Sequence, residues 1–435
     1  VIDAVAHAYD LSDANTESHR YAQTMRTQLC TLHEAWQPGI GMNAAEQSTD
    51  WPIEVLARTH RVTLVSYAEG DDAVVTSAVD ALRQHCEAVH VVPMAPMPFG
   101  KRVAQLASVA STVSFQRRTL YTEAMQRTLD EVSAGEPFDV IQVESSQMAG
   151  FRFDPRSLVV LDEHNIEYEL YYRMFQTEGS PARRLFNWLE YYKFKREEIA
   201  SWRHVDGCVM TSEREAAMLA GIVPGTPTTT VPNAVDTAFF APQADVPLDP
   251  NAIVLTGLMK YRPNVDGALF FVQDVLPRIL AQRPDAMFYI VGGEPPPEIV
   301  RLASRNVVVT GTVADVREYV HKAAVFAVPL RMGSGTRLKV LEGLSMGKAM
   351  VSTSLGCEGI DVVDGEHLLI ADTAESFADA VLQLMRDRDR ARRLAAAGRE
   401  LMLRRYTWEV AAAALESFYS RLGASRPRTA TAIAV

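Results

Sequence analysis

Cysteine is scarce: Cys30, Cys86, Cys208 and Cys357 are all that 435 residues contain, and no two lie close together. That spacing excludes C-x-x-C zinc or redox pairs and supplies no disulfide framework. Long apolar runs are missing too, and none approaches the ~18 residues a membrane-spanning helix needs. The first twenty residues show no basic stretch followed by an apolar one, so no signal peptide is expected and the chain reads as cytoplasmic. Positive charge is in deficit, with 43 Lys plus Arg against 54 Asp plus Glu and a formal net charge of −11. Proteins grip nucleic-acid backbones through Lys and Arg, so no nucleic-acid partner is expected. A local basic cluster can still hold a small anion. No internal period of about 20–50 residues recurs, which removes solenoids from consideration.

What is present is ordinary globular composition, 48% hydrophobic and 22% charged, on a chain long enough for two domains. Short apolar runs rich in β-branched residues alternate with longer helical patterns. Strands are expected at Val62–Tyr67, Ala88–Met94, Phe138–Glu144, Leu158–Asp162 and Val205–Thr211. After a break they resume at Ala252–Gly257, Met287–Gly292, Asn306–Thr310, Val325–Pro329, Ala349–Thr353 and His367–Ile370. Near-continuous apolar strands, each followed by a helix, imply buried parallel sheets with crossover helices, hence an α/β chain with two Rossmann-like halves. The break, Gly221–Pro250, carries six prolines and one embedded strand at Thr228–Val231. The first 25 or so residues offer no confident strand, and Leu29–His33 reads poorly as one.

The densest chemical signal is Val325–Gly347, where a strand ends at Pro329, a Gly-Ser-Gly loop follows and a helix is expected over Thr336–Met346. Ser334 is the candidate N-cap and Gly347 the candidate C′ glycine. Arg331, Arg337 and Lys339 crowd a helix end that is itself positive, which is unfavourable unless an anion sits among them. A bound phosphate or diphosphate explains the crowding; a solvated helix start with salt bridges to carboxylates is the alternative. Glu342, three residues after Lys339, shares its helix face and suits either ribose hydroxyls or a salt bridge to that lysine. Gly292-Gly293 invites a dinucleotide reading, but the prolines that follow Glu294 cannot continue the glycine pattern.

These residues resemble the nucleotide-sugar-binding half of retaining glycosyltransferases of the GT-B fold, glycosyltransferase family 4. The matching stretches are Val231–Asp236, Leu255–Asp266, Phe288–Gly293, Val309–Val313, Gly335–Gly343 and Tyr406–Trp408. The resemblance implies two Rossmann-like domains facing each other across a cleft. Its boundaries would be 1–235 for the acceptor side and 236–405 for the nucleotide-sugar side. A helix at 406–424 would return to the first domain, followed by a frayed tail at 425–435. It also implies that Gly257 approaches the donor phosphates, that Thr312 and Val313 meet the base, and that Glu342 holds the ribose. Gly333, Ser334, Gly335, Thr336, Arg337, Leu338 and Lys339 would cradle the diphosphate and sugar. Relatives carry a second Glu where this chain has Ser334, and Arg and Lys where it has Leu258 and Asn264. Lys260, Arg262, Arg337 or Lys339 would then neutralise the diphosphate, with Arg331 among the donor-binding residues.

In the first half, the strand Leu158–Asp162 runs into Glu163-His164-Asn165 at the strand end where doubly wound folds keep their sites. A lone histidine is commonly structural, but the resemblance places His164 facing the donor sugar. Gly39 and Gly41 would lie in the glycine-rich loop that precedes Ile53–Tyr67. Ser180–Trp202 is aromatic and basic. It reads as a crossover helix with Trp188, Leu189 and Tyr192 in a buried stripe, or as an interfacial helix in peripheral contact with the inner face of a membrane. The expected activity is metal-independent transfer of a sugar, with retention, from a nucleoside diphosphate donor to a sugar, lipid-linked or small-molecule acceptor hydroxyl. Polysaccharide or glycoconjugate synthesis is the implied setting, with no cofactor and no metal site. A GT-B module that binds without turnover and a GT-B sugar-nucleotide epimerase are the rival readings.

Overall fold

The computed structural model describes residues 28–36, 53–68, 72–94, 105, 107–135, 137–243, 245–333 and 337–425. The expected loop with Gly39 and Gly41, the residues Ser334, Gly335 and Thr336, and the tail from 426 lie outside the described residues. Among the described residues thirteen strands form two sheets. The first holds β1 (Gln28–Trp36), β2 (Arg61–Ala68), β3 (Ala88–Pro93), β4 (Val140–Glu144), β5 (Leu158–Glu163), β6 (Gly207–Met210) and β7 (Thr228–Thr230). Their order is β3-β2-β1-β4-β5-β6-β7, and every pairing is parallel. The second holds β8 (Asp249–Thr256), β9 (Met287–Val291), β10 (Val307–Gly311), β11 (Ala323–Val328), β12 (Met350–Ser352) and β13 (Leu369–Ile370). It runs β10-β9-β8-β11-β12-β13, again all parallel.

The strands expected from apolar runs are present, with ends shifted by at most three residues. The strand that reads poorly, β1, is central and pairs with both β2 and β4. Its two flanking ladders hold it in place where local propensity does not.

Alternation along each strand divides the apolar side chains between two faces. In the second sheet Ile253, Leu255, Phe288, Ile290, Val325 and Ala327 enter one core. Their neighbours Ala252, Val254, Val291, Phe326 and Val328 enter the core on the other face. In the first sheet Val65, Tyr67, Ile141 and Val143 face one core. Val62, Leu64, Val140, Val160 and Val209 face another, which also contains Ala411, Leu415, Phe418 and Leu422. Those four belong to the helix Trp408–Ser425, so the last described helix covers one face of the first sheet. Contact is close: a Cβ on Gly207, at the start of β6, would lie 2.7 Å from Phe418 and 2.8 Å from Leu422.

Two local expectations are corrected. The helix after β11 spans Leu338–Ser345, so Arg337, not Ser334, occupies the N-cap position. Its end is as expected: Gly347 has φ +63° and donates to Leu344, while Lys348 donates to Gly343, a Schellman closure. In the helix Pro181–His204 the buried face carries Asn187, Glu190, Phe194, Glu197, Glu198, Ser201 and Trp202. Trp188 and Tyr192 are exposed. The reason is backbone satisfaction. Glu198 accepts from Glu167 and Tyr168 N–H at 2.8 Å each, capping a helix start that no side chain at Ile166 caps. Glu190 and Glu197 accept from Phe115 and Ser114 N–H at 2.7 and 2.8 Å. Among the described residues no helix is long and apolar enough to cross a membrane.

The ends of β8 and β9 meet glycine to glycine. Gly257 donates to Val291 at 3.1 Å and Met259 to Gly293 at 2.9 Å. Gly292 has φ +151°, and a Cβ there would lie 1.9 Å from the Gly257 carbonyl oxygen. Gly292→Ala is therefore expected to destabilise the protein by about 2–4 kcal/mol. Urea unfolding of both proteins checks this, and an unchanged midpoint would contradict it.

Candidate active site

The second domain supplies a cationic wall. Lys339, in the first turn of Leu338–Ser345, reaches back to the end of β8. Its Nζ donates to the Thr256 carbonyl at 2.6 Å and to Asn264 Oδ1 at 2.7 Å, while Asn264 Nδ2 donates to Leu258 O at 2.9 Å. Gly257 must be glycine here, since a Cβ would sit 2.8 Å from that ammonium and 2.7 Å from Asn264. Burial pulls the Lys339 amine down to about 8, with Glu342 opposing and Arg337 reinforcing the shift. Burial raises the Glu342 carboxyl to about 7, against the pull of Lys339. Both retain some solvent contact although protein surrounds them, as expected for groups on a cleft wall.

Arg337 is 8% exposed, and its burial holds the guanidinium below its usual range. Gly333, at φ +124°, lies against it, with a Cβ position 3.1 Å from Nη2. Leu338 packs on the core and Val313 beside it, while Thr312 is exposed with its hydroxyl next to Gly293. The three remaining cations already have carboxylate partners. Arg331 is held by both oxygens of Asp266, at 3.0 and 2.7 Å, and lies over the Phe270 ring. Lys260 pairs with Glu294 at 2.8 Å and Arg262 with Glu178 at 3.7 Å. The crowding that the sequence suggests is thus between Arg337 and Lys339, without Arg331.

The first domain supplies the opposite wall. His164 follows β5 and is half exposed, at 53% of its side chain. Its Nε2 lies 2.8 Å from Glu144 Oε2, at the end of β4. Burial alone would lower the imidazole pKa. The Glu144 hydrogen bond and charge, followed by the charges of Asp162 and Glu163, raise it to about 10. Asp162 is itself pushed to about 7 by burial and by Glu144, with His164 opposing. Glu163 points to the other face, where Trp202 Nε1 and Ser146 N–H donate to it at 2.9 and 3.2 Å.

Glu144, Asp162 and His164 bring one potential ligand atom each within 4.8 Å of one another. No metal spacing announces this in the sequence, because the residues come from two paired strands. Their facing atoms already engage protein donors, including Gln142 Nε2 at 2.7 Å from Glu144 and 3.1 Å from Asp162.

Direct bonds join the two walls. Arg173 Nη1 donates to the Gly333 carbonyl at 2.6 Å and to Glu358 Oε2 at 3.1 Å. Arg214 Nε lies 4.0 Å from the other Glu358 oxygen. Arg173, Arg214, Glu358 and the Gln142–Glu144 pair are residues that sequence reasoning missed. Each is an ordinary polar residue until the fold brings its partner near. Asn264 stood out only as a departure from the family pattern.

Residues 250–387 match the family model described as Glycosyl transferases group 1. Over 159 residues the chain is 33% identical to a GDP-mannose-dependent alpha-(1-6)-phosphatidylinositol monomannoside mannosyltransferase of Mycobacterium tuberculosis. That match takes in 33% of this chain and 41% of the relative, so the chain spans about two-fifths of the relative's length. Sucrose-phosphate synthase from Thermosynechococcus elongatus superposes with a TM-score of 0.65 at 17% identity, over 92% of this chain and 100% of that one. HepE of Anabaena, solved with UDP-glucose, superposes with a TM-score of 0.60 at 15% identity, over 91% and 100% of the two chains. These likenesses establish the GT-B fold, with its parallel-sheet α/β architecture.

The His164 ring carries a testable pH signature. Its folded pKa is raised from 6.5 to about 10, so the stability it contributes with Glu144 is complete below about pH 6.5 and lost as pH climbs toward 10. An NMR titration of the ring should show the imidazolium persisting well above pH 7, and a midpoint near 6.5 would refute the pairing.

Proposed function

We propose that this protein is a retaining glycosyltransferase that moves a sugar from a nucleoside diphosphate donor to an acceptor hydroxyl. The observation that carries the reading is the pairing of two walls. A half-buried ammonium and a buried guanidinium stand at a helix N-terminus on one side, and an imidazolium stands at a strand end on the other. Departure of a nucleoside diphosphate builds negative charge, and fixed cations and helix N–H groups stabilise it without reorganising. Lys339 spends two of its three N–H donors on Thr256 and Asn264, which leaves one for a phosphate oxygen. Arg337 borders the same approach through Gly333, and Glu342 on the same helix suits the ribose hydroxyls. Gly257 lets the phosphates come close to backbone.

His164 faces this wall as a cation held by Glu144. In this role it steadies the sugar and the charge near the anomeric carbon, and it does not act as a general base. The leaving phosphate then receives the acceptor's proton on the same face of the sugar, which retains configuration. The family match and the mannosyltransferase relative support a hexose donor, so GDP- and UDP-hexoses are the first to test. The acceptor is a hydroxyl on a sugar, lipid-linked or small molecule, in polysaccharide or glycoconjugate synthesis. The diphosphate is met by protein cations, and the Glu144–Asp162–His164 group is occupied by its own hydrogen bonds. Turnover on this reading needs no divalent ion.

Lys339→Met or Arg337→Ala should weaken binding of the cognate nucleoside diphosphate by about 1.5–3 kcal/mol, the scale of a charge-assisted hydrogen bond. Calorimetry on both variants measures this, and unchanged affinity in both would move the diphosphate elsewhere. His164→Ala should keep nucleotide affinity and lose about 10²-fold or more in turnover. A destabilised variant with normal turnover per folded molecule would return the histidine to a structural role. EDTA should leave donor turnover unchanged, and its restoration by magnesium after loss would overturn metal independence.

A further inference from the structure

The helix Trp408–Ser425 does more than cover an apolar face. Residues 140, 142 and 144 of β4 point to one side of the sheet, as do 158, 160 and 162 of β5. Val140, Leu158 and Val160 pack against the helix near the strand starts. Gln142, Glu144 and Asp162 continue the same rows toward the strand ends, and Glu144 is the direct register partner of Asp162. Apolar packing thus gives way to a polar chain under one helix.

That chain has a fixed direction. Tyr419 Oη donates to Gln142 Oε1. A carbonyl oxygen cannot donate, so this bond sets which way the amide faces and turns its N–H2 toward the carboxylates. Nε2 then donates to Glu144 Oε1 at 2.7 Å and to Asp162 Oδ2 at 3.1 Å. The second Glu144 oxygen, Oε2, lies 2.8 Å from His164 Nε2. Both oxygens of Glu144 are therefore engaged, one by an amide behind and one by the imidazole in front. Rotating the carboxylate breaks at least one of these bonds.

We propose that Glu144 is a positioning residue for His164, and that Tyr419, acting through Gln142, is the outer anchor that fixes Glu144. The proposal rests on the reading of His164 as a group that acts on the donor. It makes a helix that follows the nucleotide-binding domain in sequence part of the opposite wall of the site. Tyr419 and Gln142 are both buried, so solvent does not compete for the bond between them. The charged groups acting on the imidazole are Glu144 from β4 and Asp162 and Glu163 from its own strand. The helix brings Tyr419, with Glu416 beside it.

The test uses the full chain, 15N-labelled at histidine, as wild type, Glu144→Gln and Tyr419→Phe, with His164→Gln to assign the ring. The Glu144→Gln variant should lower the His164 titration midpoint by about one unit or more, since it removes the bonded charge but keeps the shape. Tyr419→Phe should shift the ring resonances and lower the midpoint by less. On a panel of GDP- and UDP-hexoses, donor hydrolysis should fall about tenfold or more in kcat with KM nearly unchanged, because the nucleotide is held by the other domain. Lower melting temperature with unchanged ring resonances and unchanged kcat would overturn the proposal and leave these residues purely structural. If wild type turns over no donor, the glycosyltransferase reading fails, while the ring titration still decides whether Glu144 and Tyr419 position the imidazole.

Discussion

A parallel strand shows alternate side chains to opposite faces and delivers its carboxyl end to the same edge as its neighbours. Both halves of this site depend on that constraint. In the second sheet it lines up the ends of β8, β9 and β10, where glycines let the turns touch and Lys339 reach in. In the first sheet it sets Glu144 against Asp162 at the ends of β4 and β5, beside the histidine that follows. The chemistry sits where the ladders stop, because only there do backbone groups and polar side chains escape the apolar layers.

Opposed electrostatics follow from this geometry. The first wall is rich in carboxylates beside the His164 ring, whereas the second carries the Lys339 ammonium and the Arg337 guanidinium, with Glu342 and Glu358 as the carboxylates that act on them. Burial disfavours the charged form of each group more than the pair's mutual attraction restores it, which is why Lys339 and Glu342 shift toward neutrality. An anionic ligand between the walls relieves the cations on one side. Arg173 belongs to the first domain but bonds to Gly333 and Glu358 of the second, so the loop that carries Gly333 is held partly from the other domain.

Much of the fold is legible in the sequence because buried parallel strands announce themselves as apolar β-branched runs. The exception, β1, contains Gln28, His33 and Glu34 and is held by pairing on both edges, a constraint that no local window contains. The helix Pro181–His204 misleads for a related reason. Trp188 and Tyr192 suggest the core but are exposed, while Glu190, Glu197 and Glu198 share the buried face with Phe194 and Trp202 because they satisfy backbone N–H groups of other segments. At the site, the Gly333–Lys339 region stands out through local density of glycine and charge. Arg331 has the same local look, and only the fold reveals that Asp266 already holds it. Tyr419 and Gln142 are 277 residues apart and carry no motif, so their bond is visible only once the sheet and the helix are assembled.

The helix Trp408–Ser425 also fixes the order in which the molecule can be completed during synthesis. The first sheet is made early, and Ile53, Leu56 and Leu82 can pack on the face formed by Val62, Leu64, Val140, Val160 and Val209, but the share of that face covered by Ala411, Leu415, Phe418 and Leu422 waits until residues beyond 408 have left the ribosome. At roughly 5–20 residues per second, the intervening domain alone occupies about ten seconds or more of translation. The second domain, whose cores draw on residues from 235 to 406, can close while the first still waits. The half translated first is therefore finished last, and part of its apolar face waits for cover while the whole second domain is made.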